Sequence, residues 1–493
     1  MDAEYDGVRR KIVDRRAFLR TLALAGGSAI LAACGGSTAV PTAVPAAAPT
    51  AVPAEAPTAA APTAAPAEAP TTAPAVVEPS NGQVTIEWFN RYTTNTTQQI
   101  IPLMVAEFEK QNPNIKVNYQ NPGNGEGYIE SLLARVAGNN PPDIATLYEP
   151  PVEFAARDAL TPIDDFMASA KTAKADAFFP APLKSCQWQG KTYGLPSSAG
   201  AGAMYLNTAA FKQKGISIDR ATFPKTWDEL KALSKEFVTT KNGGIEQAGF
   251  VPFVGNSWLY PAWSALNGGK LFDTQSNKYM LTSDQNVQWL ESWVQWLDDQ
   301  YGGDYEKLTT AGSWAGTYPD SAFNLGRASM AAEGSWSSTD ADIPFDWEVA
   351  RFPVGPGGSK SVTAFYPNWW AIPKGTKHPA EAFLFIEFVA TTGWETWYTA
   401  IMDTPSWKAF PPTVLTTKLV DKVGLDRAKD VNTFFADYLN DAVEMWTSPV
   451  ETFAGDTFGA AVDKILNKKM KVKDALAEAQ DLCQNKLNTV LKG

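Results

Sequence analysis

The sequence predicts an α/β protein of two lobes, each a sheet flanked by helices. Three observations predict it. Strand-like and helix-like segments alternate from Val84 onward, an order that builds parallel strands with helices over them. The 413 residues beyond residue 80 exceed what one hydrophobic core spans, so two cores are expected. Those 413 residues also hold all 17 tryptophans and 55 of the 57 aromatic residues, whereas residues 1–80 have only Tyr5 and Phe18.

The first 80 residues are a leader and a tether. Arg15-Arg16 followed by Phe18-Leu19 resembles a twin-arginine export signal, although Asp14 and Arg20 depart from the usual Ser/Thr and Lys. The 13-residue apolar run of residues 21–33 is too short to cross a bilayer as a helix. Leu31-Ala32-Ala33-Cys34-Gly35 resembles a bacterial lipobox, which would make Cys34 a lipidated first residue holding the chain to the outer face of the cytoplasmic membrane. Residues 35–80 are Ala, Pro, Thr and Val with ten prolines and almost no charge. Such a segment cannot bury enough to fold; as polyproline II it could reach on the order of 100 Å.

Further on, Val84–Phe89 reads as a first strand, residues 98–110 as a helix with Ile101, Met104/Val105 and Phe108 on one side, and residues 115–119 as a second strand. Residues 128–137 give a second helix and residues 143–147 a third strand. Thr226 with Glu229 is a capping box that opens a helix with Leu230, Leu233 and Phe237 inward. A second box, residues 282–285, opens a tryptophan-rich helix that stops at Gly302-Gly303. Pro379 starts a long helix that ends at Gly393. Cys186 and Cys483 could pair in an exported protein, but Cys483 sits on the apolar stripe of a C-terminal helix, where a reduced buried thiol is the commoner outcome.

Composition excludes much chemistry. Beyond residue 80 the chain has 36 Lys and Arg against 46 Asp and Glu and no dense basic tract, so nucleic acid is not expected as a partner. His378 is the one histidine, which leaves no His-based metal cluster and no Ser/His/Asp or Cys/His pair except around that position. Gly123-Asn124-Gly125-Glu126-Gly127 lacks the spacing and the lysine of a phosphate loop. Asp340, Asp342 and Asp346 lack the glycine and closing glutamate of a calcium loop. No catalytic residue, metal or cofactor is expected.

The order of segments resembles the extracellular solute-binding proteins of ABC importers, in particular the large carbohydrate-binding family typified by maltose-binding protein. The carriers are Val84-Thr85-Ile86-Glu87-Trp88-Phe89, Phe108-Glu109-Lys110-Gln111-Asn112-Pro113-Asn114-Ile115 and Gly138-Asn139-Asn140-Pro141-Pro142-Asp143-Ile144. Gly190-Lys191-Thr192-Tyr193-Gly194-Leu195-Pro196, Met204-Tyr205-Leu206-Asn207 and Pro224-Lys225-Thr226-Trp227-Asp228-Glu229-Leu230 continue the series. Phe323-Asn324-Leu325-Gly326-Arg327-Ala328-Ser329-Met330, Gly334-Ser335-Trp336 and Ile372-Pro373-Lys374-Gly375 complete it. The resemblance implies a two-lobe periplasmic-binding-protein-like fold of type II with a hinge, closing on a small-molecule carbohydrate and presenting it to ABC transporter permease subunits. It also implies an exported monomer that is not an enzyme. The expected division is 1–33 signal peptide, 34–80 lipidated linker, 81–197 first lobe, 198–360 second lobe, 361–410 return to the first lobe, and 411–493 helices mainly of the second.

The residues taken alone point to sugar as well, since aromatic faces cover pyranose C–H patches and planar polar groups pair with hydroxyls. Asn90, Arg91 and Tyr92 follow the first strand and Tyr148 and Glu149 the third, where an open sheet forms its crevice. Arg91 could instead be a solvated surface charge, and Glu149 a charge at a helix start. Trp258 and Tyr260 serve either as a sugar platform or as loop packing; Trp336 is expected at the cleft. Of Trp369 and Trp370, which point opposite ways, Trp369 with Asn368 is expected to face the ligand. Trp289, Trp293 and Trp296, at helical spacing, read as core, and Trp88, Trp227 and Trp347 as packing. A glycoside hydrolase, and a receptor for peptide, polyamine or metal, are the alternatives.

Overall fold

The computed structural model describes residues 82–492 apart from 123–125, 218, 254–256, 341 and 446. The leader, Cys34 and the proline-rich linker lie outside the described residues.

β1 (Val84–Phe89) buries Ile86 and Trp88 and pairs in parallel with β2 (Ile115–Gln120) and β3 (Ile144–Leu147). α1 (Asn95–Gln111) and α2 (Glu126–Ala137) supply the connections that parallel pairing requires. α1 starts at Thr94, whose hydroxyl accepts from the Thr97 amide at 3.2 Å, and buries Ile101, Met104, Val105 and Phe108 on the predicted side. α3 (Pro151–Ala155) follows β3. After β4 (Leu195–Pro196) comes β5 (Gly200–Asn207), buried along its whole length.

α4 (Trp227–Lys235) carries the predicted capping box, with both the Thr226 and the Glu229 bonds made. α5 (Tyr260–Leu266) precedes α6 (Asp284–Tyr301), whose cap falls one residue later than predicted. Ser283 accepts from the Asn286 amide, because Thr282 gives both its amide and its hydroxyl to Gln480. Gly302, at φ 75°, ends α6 in the left-handed conformation that glycine tolerates.

The second sheet centres on β5, which pairs antiparallel with β6 (Met330–Gly334), β7 (Trp347–Ala350) and β8 (Phe365–Tyr366). The chain then returns to the first sheet as β9 (Trp369–Ala371) and continues into α7 (Pro379–Ala390) and α8 (Trp394–Tyr398). α9 (Glu451–Leu466) and α10 (Val472–Lys492) pack on α6.

The first sheet has the order β2-β1-β3-β9-β4 and is mixed, not wholly parallel as the strand-helix alternation predicts. β9 runs antiparallel to β3 and to β4. It enters from β8 of the second sheet through Pro367 and Asn368 alone.

Three short segments run side by side between the sheets. The Ser197 amide donates to the Asn368 carbonyl at 3.0 Å, the Ala199 amide to Thr404 at 2.6 Å and the Ser406 amide to Ser197 at 3.1 Å. Cys186 and Cys483 are both free and buried.

Candidate functional site

A cavity of about 540 Å³ opens beside these crossings and takes its walls from both sheets. Tyr92 and Tyr148 follow the carboxyl ends of β1 and β3; Trp258, Glu333 and Trp336 come from the side of the second sheet; Tyr366 and Asn368 lie on the crossing, and Trp397, Ile401 and Asp403 follow α7. Another cavity, about 490 Å³ beside Trp347, Lys422 and Arg427, has walls from residues 343–347 and 422–427 only and so does not join the two sheets.

The rings form a continuous series. Trp258 and Trp336 lie 5.4 Å apart between centroids, and Tyr366 is 6.2 and 6.1 Å from them. Tyr366 meets Tyr148 at 6.4 Å, Tyr148 meets Tyr92 at 6.2 Å, and Tyr92 meets Trp397 at 4.6 Å. Glycine sets the height of the indoles. A Cβ at Gly200 would sit 2.3 Å from the Trp336 ring, one at Gly334 also 2.3 Å from it, and one at Gly202 3.1 Å from Trp258. Gly200 and Gly202 share a face of β5 by strand alternation, so the small-residue start of that strand is a bed for two indoles.

Polar groups are set among the rings. Asn368 donates from Nδ2 to Asp403 Oδ2 at 2.9 Å and to Ser198 Oγ at 2.9 Å. Glu333 is a buried carboxylate on β6. Tyr92 Oη and Trp397 Nε1 are buried and have no hydrogen-bond partner among the described residues. Leaving a buried donor unmet costs about 1–3 kcal/mol, so both point to an acceptor that a bound molecule or water supplies. Burial above all, then Tyr148 and Asp403, holds the Tyr92 phenol well above its ordinary range, so it keeps its proton to donate.

Of the ten residues singled out from sequence, the cavity brings together Tyr92, Tyr148, Trp258, Trp336 and Asn368. The other five stand elsewhere. Trp369 is sealed in the first sheet with its Nε1 on Ser185 Oγ at 2.8 Å, and Trp370 is equally buried against Trp88, centroids 5.0 Å apart. Both faces of this sheet are covered, so alternation sends neither indole to the cavity. Tyr260 packs on Phe458 at 5.2 Å and on Trp289 at 6.0 Å. Asn90 is turned inward, donating to the Gln120 carbonyl at 3.2 Å and accepting from the Tyr92 amide.

Arg91 is neither solvated nor a wall of the cavity. Its guanidinium is ion-paired with Glu149 and lies 4.7 Å from the ring centroids of both Tyr128 and Tyr148. The pair therefore supports Tyr148 from behind. Sequence reasoning missed Glu333, Tyr366, Trp397 and Asp403, which reach the cavity from four separate segments. The run Ala199-Gly200-Ala201-Gly202-Ala203 was the one local signal, since a strand without side chains on one face leaves space for rings. The tryptophans read as core are core: Trp289, Trp293, Trp296, Trp88, Trp227 and Trp347 are all buried.

Comparison with known proteins agrees with this architecture. The chain is similar to the multiple sugar-binding protein of Streptococcus mutans, 24% identical over 322 residues that cover 63% of this chain and 71% of that protein. Among solved structures it is similar in fold to CpMnBP1 with mannotriose bound, at TM-score 0.65 and 23% identity over 81% of this chain and 100% of that one. An ABC substrate-binding protein from Listeria monocytogenes in complex with cycloalternan gives TM-score 0.65 and 20% identity over 82% and 99%. The fold is thus the two-lobe, periplasmic-binding-protein-like α/β architecture. Residues 93–396 match the bacterial extracellular solute-binding proteins, and the chain belongs to that family.

Proposed function

We propose that this protein is a lipid-anchored receptor that captures a sugar or oligosaccharide between its lobes and hands it to the permease subunits of an ABC importer, without chemical change to the sugar. The cavity carries this reading: seven aromatic residues and several hydrogen-bonding groups converge there from both sheets. Rings cover the apolar faces of a pyranose, while Asn368, Asp403 and Glu333 accept from or donate to hydroxyls and the unmet Tyr92 and Trp397 donors bind their oxygens. A hydroxyl both donates and accepts, which suits a wall holding both kinds of group.

The crossings at 197–199, 367–368 and 404–406 would act as the hinge, with the ligand's greater affinity for the closed arrangement shifting the population. In this reading residues 1–33 are removed, Cys34 carries the lipid, residues 34–80 are the tether, and the chain works as a monomer. The first lobe comprises 81–197 and 361–410, and the second comprises 198–360 with most of 411–493. The relative from Streptococcus mutans and the saccharide-bound structures support sugar as the class of cargo.

Thermal unfolding of residues 81–493 in the presence of mono- and oligosaccharides tests the proposal. A saccharide that binds raises the midpoint with concentration and changes the tryptophan emission of the cavity. Stabilisation by spermidine, a peptide or a metal ion, with none by any saccharide, would overturn it. Release of reducing ends from an oligosaccharide would establish a hydrolase in its place.

A further inference from the structure

The charges around the cavity carry the reading one step further. Among the described residues its walls contain two carboxylates, Glu333 and Asp403, and no lysine, arginine or histidine. Both carboxylates are buried, at 1% and 7% exposure, so bulk salt and water screen them little. Arg91, behind Tyr148, is ion-paired with Glu149 and lies against the rings of Tyr128 and Tyr148. Two of the cavity phenols, Tyr92 and Tyr148, feel the Asp403 charge. Burial first, then Tyr366 and, with Arg91 opposing, Asp403, raise Tyr148.

We infer that the cavity selects by charge: it admits neutral and amine-bearing saccharides and turns away those with a carboxylate or phosphate. This rests on the saccharide reading above. An anionic group entering the cavity would lie beside the two carboxylates with no cation among the described wall residues to receive it, and like-charge contacts of this kind strongly disfavour a partner. An ammonium group would meet the reverse situation, with carboxylates and the faces of Trp258, Trp336 and Tyr366 as acceptors for its charge. The selection is against a class of ligand, a way of setting specificity that needs no additional favourable contact.

Titration calorimetry of residues 81–493 with mannotriose, maltotriose and cellotriose tests it, each beside its terminal uronate and its terminal 6-amino-6-deoxy derivative. For any parent that binds, the uronate is expected to bind at least about ten-fold more weakly and the amine at least as tightly. In Glu333→Gln and Asp403→Asn, checked for an unchanged ligand-free unfolding midpoint, the uronate deficit should shrink several-fold while the amine loses its advantage. A uronate that binds wild-type protein as well as its parent overturns the inference, and this comparison needs no variant. A deficit of the same size in wild type and in both variants also overturns it, since shape would then be the cause. If none of the nine saccharides binds, the saccharide reading itself fails, a result distinct from either of these.

Discussion

Trp369 and Trp370 in the first sheet and Trp258 and Trp336 beside the second are the same residue type in similar loop-and-strand surroundings, yet they do different things. The first pair is sealed, and each indole N–H reaches a serine, Trp369 to Ser185 and Trp370 to Ser197 at 2.9 Å. The second pair is half-buried, lies on glycines and presents ring faces to a cavity. A ring with helices behind it and a partner for its N–H stabilises the fold; a ring on a glycine bed with one face left open is available to a ligand. Burial of tryptophan is thus a property of the layers around it and not of the dipeptide that contains it.

Substitutions sharpen the contrast. Trp369→Ala should have the largest effect, about 3–5 kcal/mol of lost stability in urea unfolding, because it empties a sealed site and leaves Ser185 without its donor. Trp336→Ala should change stability by less than about 1 kcal/mol and lower saccharide affinity by about ten- to hundred-fold in calorimetry. If the two variants exchanged these phenotypes, the division between sealed and open indoles would be wrong.

The same division runs through the carboxylates. Glu149 is neutralised by Arg91, whereas Glu153 on α3 accepts from the amide of Thr452 at 2.6 Å and from its hydroxyl at 3.0 Å, at the start of α9. Burial, only partly offset by those bonds, raises the Glu153 carboxyl from 4.5 to about 6. The folded state then binds this proton more readily than the unfolded chain does. Stability from this group is fully present below pH 4.5 and is lost as pH rises through about 6, a change of about 2 kcal/mol. Glu153→Gln should flatten that part of the stability curve, measured by urea unfolding at a series of pH values; an unaltered slope would show that the group does not titrate there.

Gly200→Ala is expected to have the smallest effect on binding. The new methyl would overlap the Trp336 ring, which must shift, and this should weaken saccharide binding by about ten-fold and lower stability by about 1–3 kcal/mol. Equal binding by this variant would show that the height of the indole does not matter.

Much of the fold was legible from local pattern. Val84–Phe89 and the capping box at Thr226 appear as predicted, because strand alternation and cap chemistry are satisfied by residues a few positions apart. Ser283 displaced Thr282 as a cap because Gln480, nearly two hundred residues away, takes the Thr282 groups. Of the ten residues named from sequence, five line the candidate cavity. Tyr92 and Tyr148 follow strands and so had to lie at a sheet's carboxyl edge, while Glu333, Trp397 and Asp403 carry no local mark of the cavity.

What the sequence determined by itself was the alternation of strands and helices, the acidic and histidine-poor composition and the supply of indoles and glycines from which a cavity could be built. Only the tertiary structure decided which indoles face that cavity and which acids stand among them. Local order follows from contacts within a turn or a strand pair, whereas the cavity depends on how two sheets and three crossings meet, and that geometry is set by residues far apart in the chain.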